Sequence, residues 1–221
     1  METILTLEKP ANEVERLTAL KKYEILDTPA DGSFDRITAL ASMIFKVPIA
    51  IISLVDTDRI WFKSHHGLDV KQIHRDPGLC ASAILSNELY VIENAKEDPR
   101  CLTNPLVAGE FGLRFYAATP LTTDDNYNLG TLCIIDQHPR KLTPEERSIL
   151  KSLGDIVMDE MNMRIAVRDT AINVKNLAAD VSEHLRVTAR NVQDSTMDEV
   201  ATHLELSRMY LKNIQNQLDN L

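Results

Sequence analysis

Residues 170–221 contain no glycine, no proline and no tryptophan. So long a stretch without a breaker is helical by composition, because Gly and Pro interrupt helices most strongly. Within it Val174, Ala178, Val181, Leu185, Thr188 and Val192 recur at alternating spacings of four and three, the repeat by which helices share an apolar seam. Val200, Leu204, Ser207, Leu211, Ile214, Leu218 and Leu221 resume the repeat further on. Between the two runs, TMDE (196–199) has the form of a capping box and follows Asp194-Ser195. One long helix and two helices folded into a hairpin both satisfy this pattern. Either leaves an apolar stripe to be covered, and a second copy of the chain is the expected cover. Val174, Val181, Leu185, Val192, Leu204, Leu211, Ile214 and Leu218 are therefore the expected homodimer interface.

The chain before this tail has a different rhythm. RFYAATPLTTDDNYNLGTLCIID (114–136) holds two apolar, β-branched runs around the polar stretch Thr122 to Asn128, which reads as a β-hairpin. Pro120 lacks a ladder donor and Gly130 brings no side chain. Such residues sit at an edge, at a bulge, or where something approaches the backbone closely. Three further strands are expected from VPIAIISLVD (47–56), IWFKSHHG (60–67) and LYVIEN (89–94). Helices are expected over 11–27, with Val14, Leu17, Leu20 and Ile25 on one face, and over 33–46, with Ile37, Leu40, Ala41, Ile44 and Phe45 as its stripe and Ser33 as its cap. DPGLCASAILSN (76–87) reads as a turn and a short helix, and 95–112 as a long connection. The clearest cap opens LTPEERSILKSLGDIVMDEMNMRIAVRD (142–169): Thr143 as N-cap, Pro144 first in the helix, and Glu146 closing the box. Leu150, Leu153, Val157, Met161 and Ile165 then follow at helical spacing. The expectation is an α+β fold, an antiparallel sheet flanked by helices over 1–168, followed by a helical extension over 169–221.

Charge narrows the function classes. A formal net charge of −9 disfavours nucleic acid and anionic membrane surfaces as partners, since both attract Lys and Arg. VPIAIISLV (47–55) is too short to span a bilayer. METILTLEKP lacks the pattern of a signal peptide. Three cysteines, Cys80, Cys101 and Cys133, form no disulfide framework, and the expected location is cytoplasmic.

In order and spacing, ERLTALKKYEILDT (15–28), SLVDTDRIWFKSHHGLD (53–69), LCASAI (79–84), EDPRCLTNPLV (97–107), RFYAATPL (114–121) and LGTLCIID (129–136) resemble the GAF domain family. That family comprises small-molecule sensing and dimerisation modules of bacterial signalling proteins. The resemblance runs from about residue 13 to 168. It implies an antiparallel sheet of five or six strands, helices from both ends of the domain on one face, and a ligand cavity on the other. Trp61, Cys80, Asn94, Asp98, Phe115, Tyr116, Ala117 and Thr119 are the candidate lining. On the hairpin's first strand, Phe115, Ala117 and Thr119 alternate with Tyr116, Ala118 and Pro120, and one set is expected to face the cavity.

The chemistries found on this scaffold differ, and each needs its own residues. The spread Asn, Lys, Phe, Asp, Glu signature of cyclic-nucleotide binders is absent from this sequence. Bilin attachment commonly uses a cysteine followed by His, whereas Cys80 precedes Ala81 and Cys133 precedes Ile134. A thiol enzyme of the free-methionine-sulfoxide reductase type needs a depressed thiol and a resolving partner, which here means Cys80 and Cys101. The further cysteine of those enzymes has no counterpart in GEFGLRFY (109–116). His65, His66 and His74 are expected at the surface or in turns, with no metal. His184, in SEHLRVTARN (182–191), is a phosphoacceptor candidate if the chain is a histidine-kinase dimerisation fragment of a two-component system, although Leu185 follows it directly and no proline appears. The best reading is a non-enzymatic sensory module that binds a small ligand or partner, dimerises through its C-terminal helices and signals to an output protein. No residue pattern names a cofactor or the ligand.

Overall fold

Alternating apolar residues build one antiparallel sheet of six strands: β1 (Ile49–Val55), β2 (Arg59–His66), β3 (Gln72–His74), β4 (Tyr90–Ile92), β5 (Phe115–Thr122) and β6 (Asn128–Asp136). Their order across the sheet is β3-β2-β1-β6-β5-β4. The structure is a computed structural model that describes residues 9–101, 104–109, 111–193 and 197–218. Thr196 of the expected capping box, and the side chains of Val192 and Leu218 from the expected seam, lie outside the described residues. The chain divides into two compact units, Met1–Asn162 and Met163–Leu221.

In the first unit, α1 (Glu13–Lys22), α2 (Gly32–Phe45) and the beginning of α5 (Pro144–Gln193) accompany the sheet, with the short helices α3 (Leu79–Ala83) and α4 (Pro105–Ala108). This is the α+β architecture expected from the sequence. Two apolar cores sit on the sheet's opposite faces. The first joins Leu20, Phe34, Ala41, Phe45, Leu150, Leu153, Val157 and Met161 of the long helices to Ala50, Ile52, Leu54, Phe115, Ala117, Leu132 and Ile134 of the strands. The second joins α3 and the 95–113 connection to Ile49, Ile51, Val55, Phe62, Tyr116, Ala118, Cys133 and Ile135.

Local signals hold where they are strongest. Thr143 N–H donates to Glu146 Oε2 at 2.8 Å and Glu146 N–H to Thr143 Oγ1 at 3.1 Å, which closes the expected capping box at the start of α5. Elsewhere the structure differs. The first helix ends at Lys22 rather than 27, and Glu24 and Asp27 then adopt positive φ angles of 49° and 59°. The cap of α2 is Asp31, whose carboxylate accepts from Ser33 N–H at 3.0 Å, not Ser33 itself. α2 buries Phe34, Thr38, Ala41, Ser42 and Phe45, while Leu40 and Ile44 are exposed. Buried Thr38 is tolerated because its hydroxyl meets Ser64 Oγ at 2.9 Å. β3 and α4, three and four residues long, are too short for periodicity to reveal.

The two odd residues of the hairpin have separate explanations. β4 pairs only with Tyr116, Ala117 and Ala118, so Pro120 lies beyond its end and breaks no ladder bond on that side. Gly130 faces Leu54 on β1 and Leu121 on β5, and a Cβ built on it meets Ser53 O at 1.9 Å. At this position the backbone of β1 leaves no room for a side chain on β6.

A buried charge cluster ties α1 to the sheet. Glu13 accepts from Arg16 Nε at 2.7 Å and Nη2 at 3.0 Å, and from Arg75 Nη1. Both arginines are buried. Arg16 Nη1 also reaches the carbonyl of Asn128 at 3.4 Å, and Arg75 Nη1 the carbonyl of Asp56 at 3.0 Å. Burial pushes the Glu13 carboxyl up, but the hydrogen bonds from Arg16 and Arg75 outweigh it and bring the pKa down to about 2.

In the second unit the remainder of α5 and α6 (Met197–Leu218) fold back on each other as a hairpin. His184 Nε2 lies 3.1 Å from Ser207 Oγ, and its ring stacks on Tyr210 with centroids 4.3 Å apart. Thr188 Oγ1 lies 3.3 Å from the same Ser207 hydroxyl. The single heptad seam read from the sequence is thereby divided. Val181 is half-buried and Ile214 buried, whereas Val174 (48%), Leu185 (58%), Leu204 (60%) and Leu211 (51%) are exposed. At 3.6 residues per turn, each exposed pair lies about 70° round its helix from the contact line, and in antiparallel helices both pairs fall on the same side of the hairpin.

Candidate functional site

The face of the sheet away from the long helices holds a small apolar cavity of about 170 Å³. Strand alternation sends Ile51 of β1, Phe62 of β2, Tyr116 of β5, and Cys133 and Ile135 of β6 to this side. The register makes them neighbours, since Ile51 pairs with Cys133 and Tyr116 with Ile135. Leu79 and Cys80 of α3 close it from above, with Leu106, Phe111 and Leu113 from the connection and Leu68, Val70 and Ile73 from around β3. Among the lining residues Tyr116, Cys80 and Cys133 carry a side-chain heteroatom, but the surface that opens into the cavity is wholly apolar.

Those heteroatoms interact. The Tyr116 hydroxyl donates to Cys80 Sγ at 3.3 Å. A hydrogen bond from the Cys133 thiol, helped by Ser53 and Tyr116, holds the Cys80 thiol below its ordinary value against the opposing effect of burial. The same bond, together with burial, pushes the Cys133 thiol well up. Burial likewise raises the Tyr116 phenol well above its usual range, so it stays a neutral donor. Ser53 Oγ and Thr131 Oγ1 pair at 2.9 Å beside the cluster. Cys101 is buried outside the cavity lining, its thiol pushed up to about 11 by burial and then by Asp98, and all three cysteines are free.

The structure gathers two of the eight candidate lining residues at this cavity, Cys80 and Tyr116. Phe115 and Ala117 belong to the opposite, helix-packed core, because the Tyr116 set is the one that faces the cavity. Thr119 shares their face and packs on Gly154 of α5, where a Cβ would meet its Cγ2 at 2.5 Å. Trp61 is in the same core, beneath the Lys63 ammonium at 5.9 Å, and borders a separate cleft with Asp27, Thr28 and Pro29. Lys63 Nζ donates to Thr28 Oγ1 and to the Pro29 carbonyl, both at 2.8 Å, which fastens that segment to β2. Asn94 and Asp98 line an open groove beside the edge strand β4. There the Arg100 guanidinium holds the Asp98 carboxyl below its usual range and donates to the Val91 carbonyl at 2.9 Å, covering one polar group of the sheet edge. His184 is engaged within the helical hairpin rather than projecting freely.

Of the cavity residues absent from the sequence list, Phe62 on β2 and Cys133 and Ile135 on β6 carried one usable signal, the alternation of their own strands, whereas Leu79 on α3 and Leu113 in the connection carried none. Among the described residues there is no cluster of three or more His, Cys, Asp or Glu able to hold a metal ion. No helix among them is long and apolar enough to cross a membrane.

Known proteins resemble this arrangement. A cyclic di-GMP phosphodiesterase of Pseudomonas aeruginosa is 39% identical over 150 residues, which cover 67% of this chain and 26% of that enzyme. The chain thus spans about a quarter of the length of this curated relative. The GAF domain of a Coxiella burnetii phosphoenolpyruvate-protein phosphotransferase superposes with a TM-score of 0.54 at 14% identity, covering 72% of this chain and 97% of that domain. Its Acinetobacter counterpart gives 0.52 at 18% identity, covering 70% and 98%. The GAF domain family profile matches residues 29–161, more than half of the sequence. The chain belongs to the GAF domain family.

Proposed function

We propose that this chain is a non-enzymatic regulatory module whose GAF domain takes a small ligand into the cavity between the sheet and α3, and whose helical extension pairs two copies. The observation that carries the reading is the apolar cavity itself, placed on the sheet face that the long helices leave free. Such concave apolar sites are the usual seat of small ligands. A thiol enzyme is less well supported, because Cys101, the resolving partner expected for Cys80, does not line the cavity, and Cys133, which does, is fully buried with its thiol pushed well up. Phosphotransfer through His184 is less well supported because its ring is stacked and hydrogen-bonded. The Pseudomonas relative carries a cyclic di-GMP phosphodiesterase name and extends far beyond the matched region. We take cyclic di-GMP turnover as the kind of output such a module controls, in the cytoplasm.

The pairing surface is the side of the hairpin that carries Val174, Leu185, Leu204 and Leu211. Two such faces close on each other as a four-helix bundle, burying apolar side chains worth roughly 1.5–3 kcal/mol each when fully covered. Replacing Leu185 and Leu211 by Asp is expected to give a monomer in sedimentation while the near-ultraviolet spectrum of the GAF domain is kept. A wild-type chain that sediments as a monomer at micromolar concentration overturns the pairing.

The sensory role has its own test. Ligand binding regulates only by favouring one of two states of an element that reads it out, and α5 is the element that leaves the domain. Cys80→Met fills part of the cavity and imitates occupancy. Hydrogen exchange of residues 163–190 is expected to change in this variant and in Cys133→Met, with both still folded. Unchanged exchange in both variants overturns the sensory reading.

A further inference from the structure

We propose that the cavity selects a small hydrocarbon-like molecule of about one ring, and that it discriminates against any polar group on the part it buries. This rests on the sensory reading above and names the class of ligand that the site accepts.

Size sets the first limit. At about 170 Å³ the cavity is well below the roughly 300–1,000 Å³ of sites that hold drug-sized ligands or cofactors. It is close to the roughly 150 Å³ apolar cavity that accommodates one benzene ring.

The wall sets the second. Its three heteroatom-bearing residues spend their polar atoms on one another. The Tyr116 hydroxyl donates to Cys80 Sγ at 3.3 Å, and the Cys133 thiol bonds to the same sulfur. The other lining residues, Ile51, Phe62, Leu113 and Ile135 among them, have hydrocarbon side chains, and the surface that opens into the cavity is wholly apolar. No Lys, Arg, His, Asp or Glu belongs to the lining.

Such a wall offers a ligand dispersion contacts and removal from water, and nothing else. A methyl group gains from both. A hydroxyl in the same place leaves its hydrogen bonds to water behind and finds no partner, and an ionised group loses far more. Apolar cavities of this size stay dry, so no bridging water makes up the loss. A nucleotide, larger than one ring and ionised, fails both limits. The molecule sensed is then chemically unlike the cyclic dinucleotide whose turnover is taken above as the output.

The test uses three probes of nearly one size on the full chain: toluene, phenol and benzoate, followed by calorimetry and by the methyl resonances of Ile51 and Leu113. Toluene is expected to bind and to shift both residues. Phenol, with a hydroxyl in place of the methyl, is expected to bind about tenfold more weakly or worse, the lower part of the cost of burying an unpaired hydroxyl. Benzoate is expected not to bind. In Cys80→Met and in Cys133→Met, whose longer side chains take up cavity volume, toluene is expected to lose about tenfold in affinity or more. Phenol binding as tightly as toluene overturns the discrimination against polar groups, and benzoate binding as tightly as toluene overturns the neutral class. No binding of toluene overturns the ligand class altogether. Toluene binding that both methionine variants leave unchanged puts the probe outside this cavity and overturns the site. None of these failures touches the sensory reading, which stands or falls on hydrogen exchange in the two methionine variants without any added probe.

Discussion

Gly130→Val is expected to abolish folding, and Gly130→Ala to cost at least the upper end of the roughly 1–3 kcal/mol typical of overpacking. Gly130 sits in β6, between β1 and β5, at the heart of the sheet. The Cβ of any other residue falls 1.9 Å from Ser53 O and 2.8 Å from Leu54 Cα. These are backbone atoms, so no rotamer change relieves the overlap. β1 has to shift, and with it Ile52 and Leu54 in one core and Ile51 in the other. Urea denaturation of Gly130→Ala measures the cost. An unfolding free energy within about 0.5 kcal/mol of wild type, at unchanged slope, refutes the close strand approach.

Glu13→Ala is expected to cost about 3–5 kcal/mol, because it leaves two buried guanidinium groups without their shared carboxylate. Glu13→Gln costs less, since the amide oxygen still accepts from one arginine. The same cluster makes stability depend on acid. The folded carboxyl, at about 2, lies below the value of 4.5 usual for a glutamate, so the unfolded chain binds the proton more readily. The stabilisation is complete above the unfolded value and is lost as pH falls from 4.5 towards 2. The gap in unfolding free energy between wild type and Glu13→Gln is therefore expected to shrink between about pH 6 and about pH 3. A gap that stays constant over that range shows that Glu13 is not the group titrating.

Those two residues also mark a limit of reading along the chain. Val14, Leu17 and Leu20 gave α1 an apolar face, yet Val14 is exposed and Arg16 is among the most buried side chains. Nothing near Arg16 in sequence announces that the carbonyl of Asn128 will reach it, or that Arg75 will share its carboxylate. A buried charge is tolerable only with its partners, and apart from Glu13, three residues away on α1, the partners of Arg16 lie elsewhere in the chain.

Periodicity and capping were legible because they are local. The hairpin around 122–128, the reciprocal Thr143–Glu146 cap, the buried run Leu150, Leu153, Val157 and Met161, and the helical nature of the breaker-free tail all follow from residues a few positions apart. Phase was not legible. On β5 the two alternating sets are both apolar, so the sequence could not decide whether Phe115 or Tyr116 meets the cavity. That was decided when α1, α2 and α5 covered one face and left the other to α3. The tail shows the same division of labour. Its heptads determined that an apolar seam exists, but only the fold-back of α6 on α5 assigned Val181 and Ile214 to the inside of the hairpin and left Leu185 and Leu211 outside. A side chain's period is set by the backbone it belongs to, whereas its neighbours are set by what the rest of the chain buries against it.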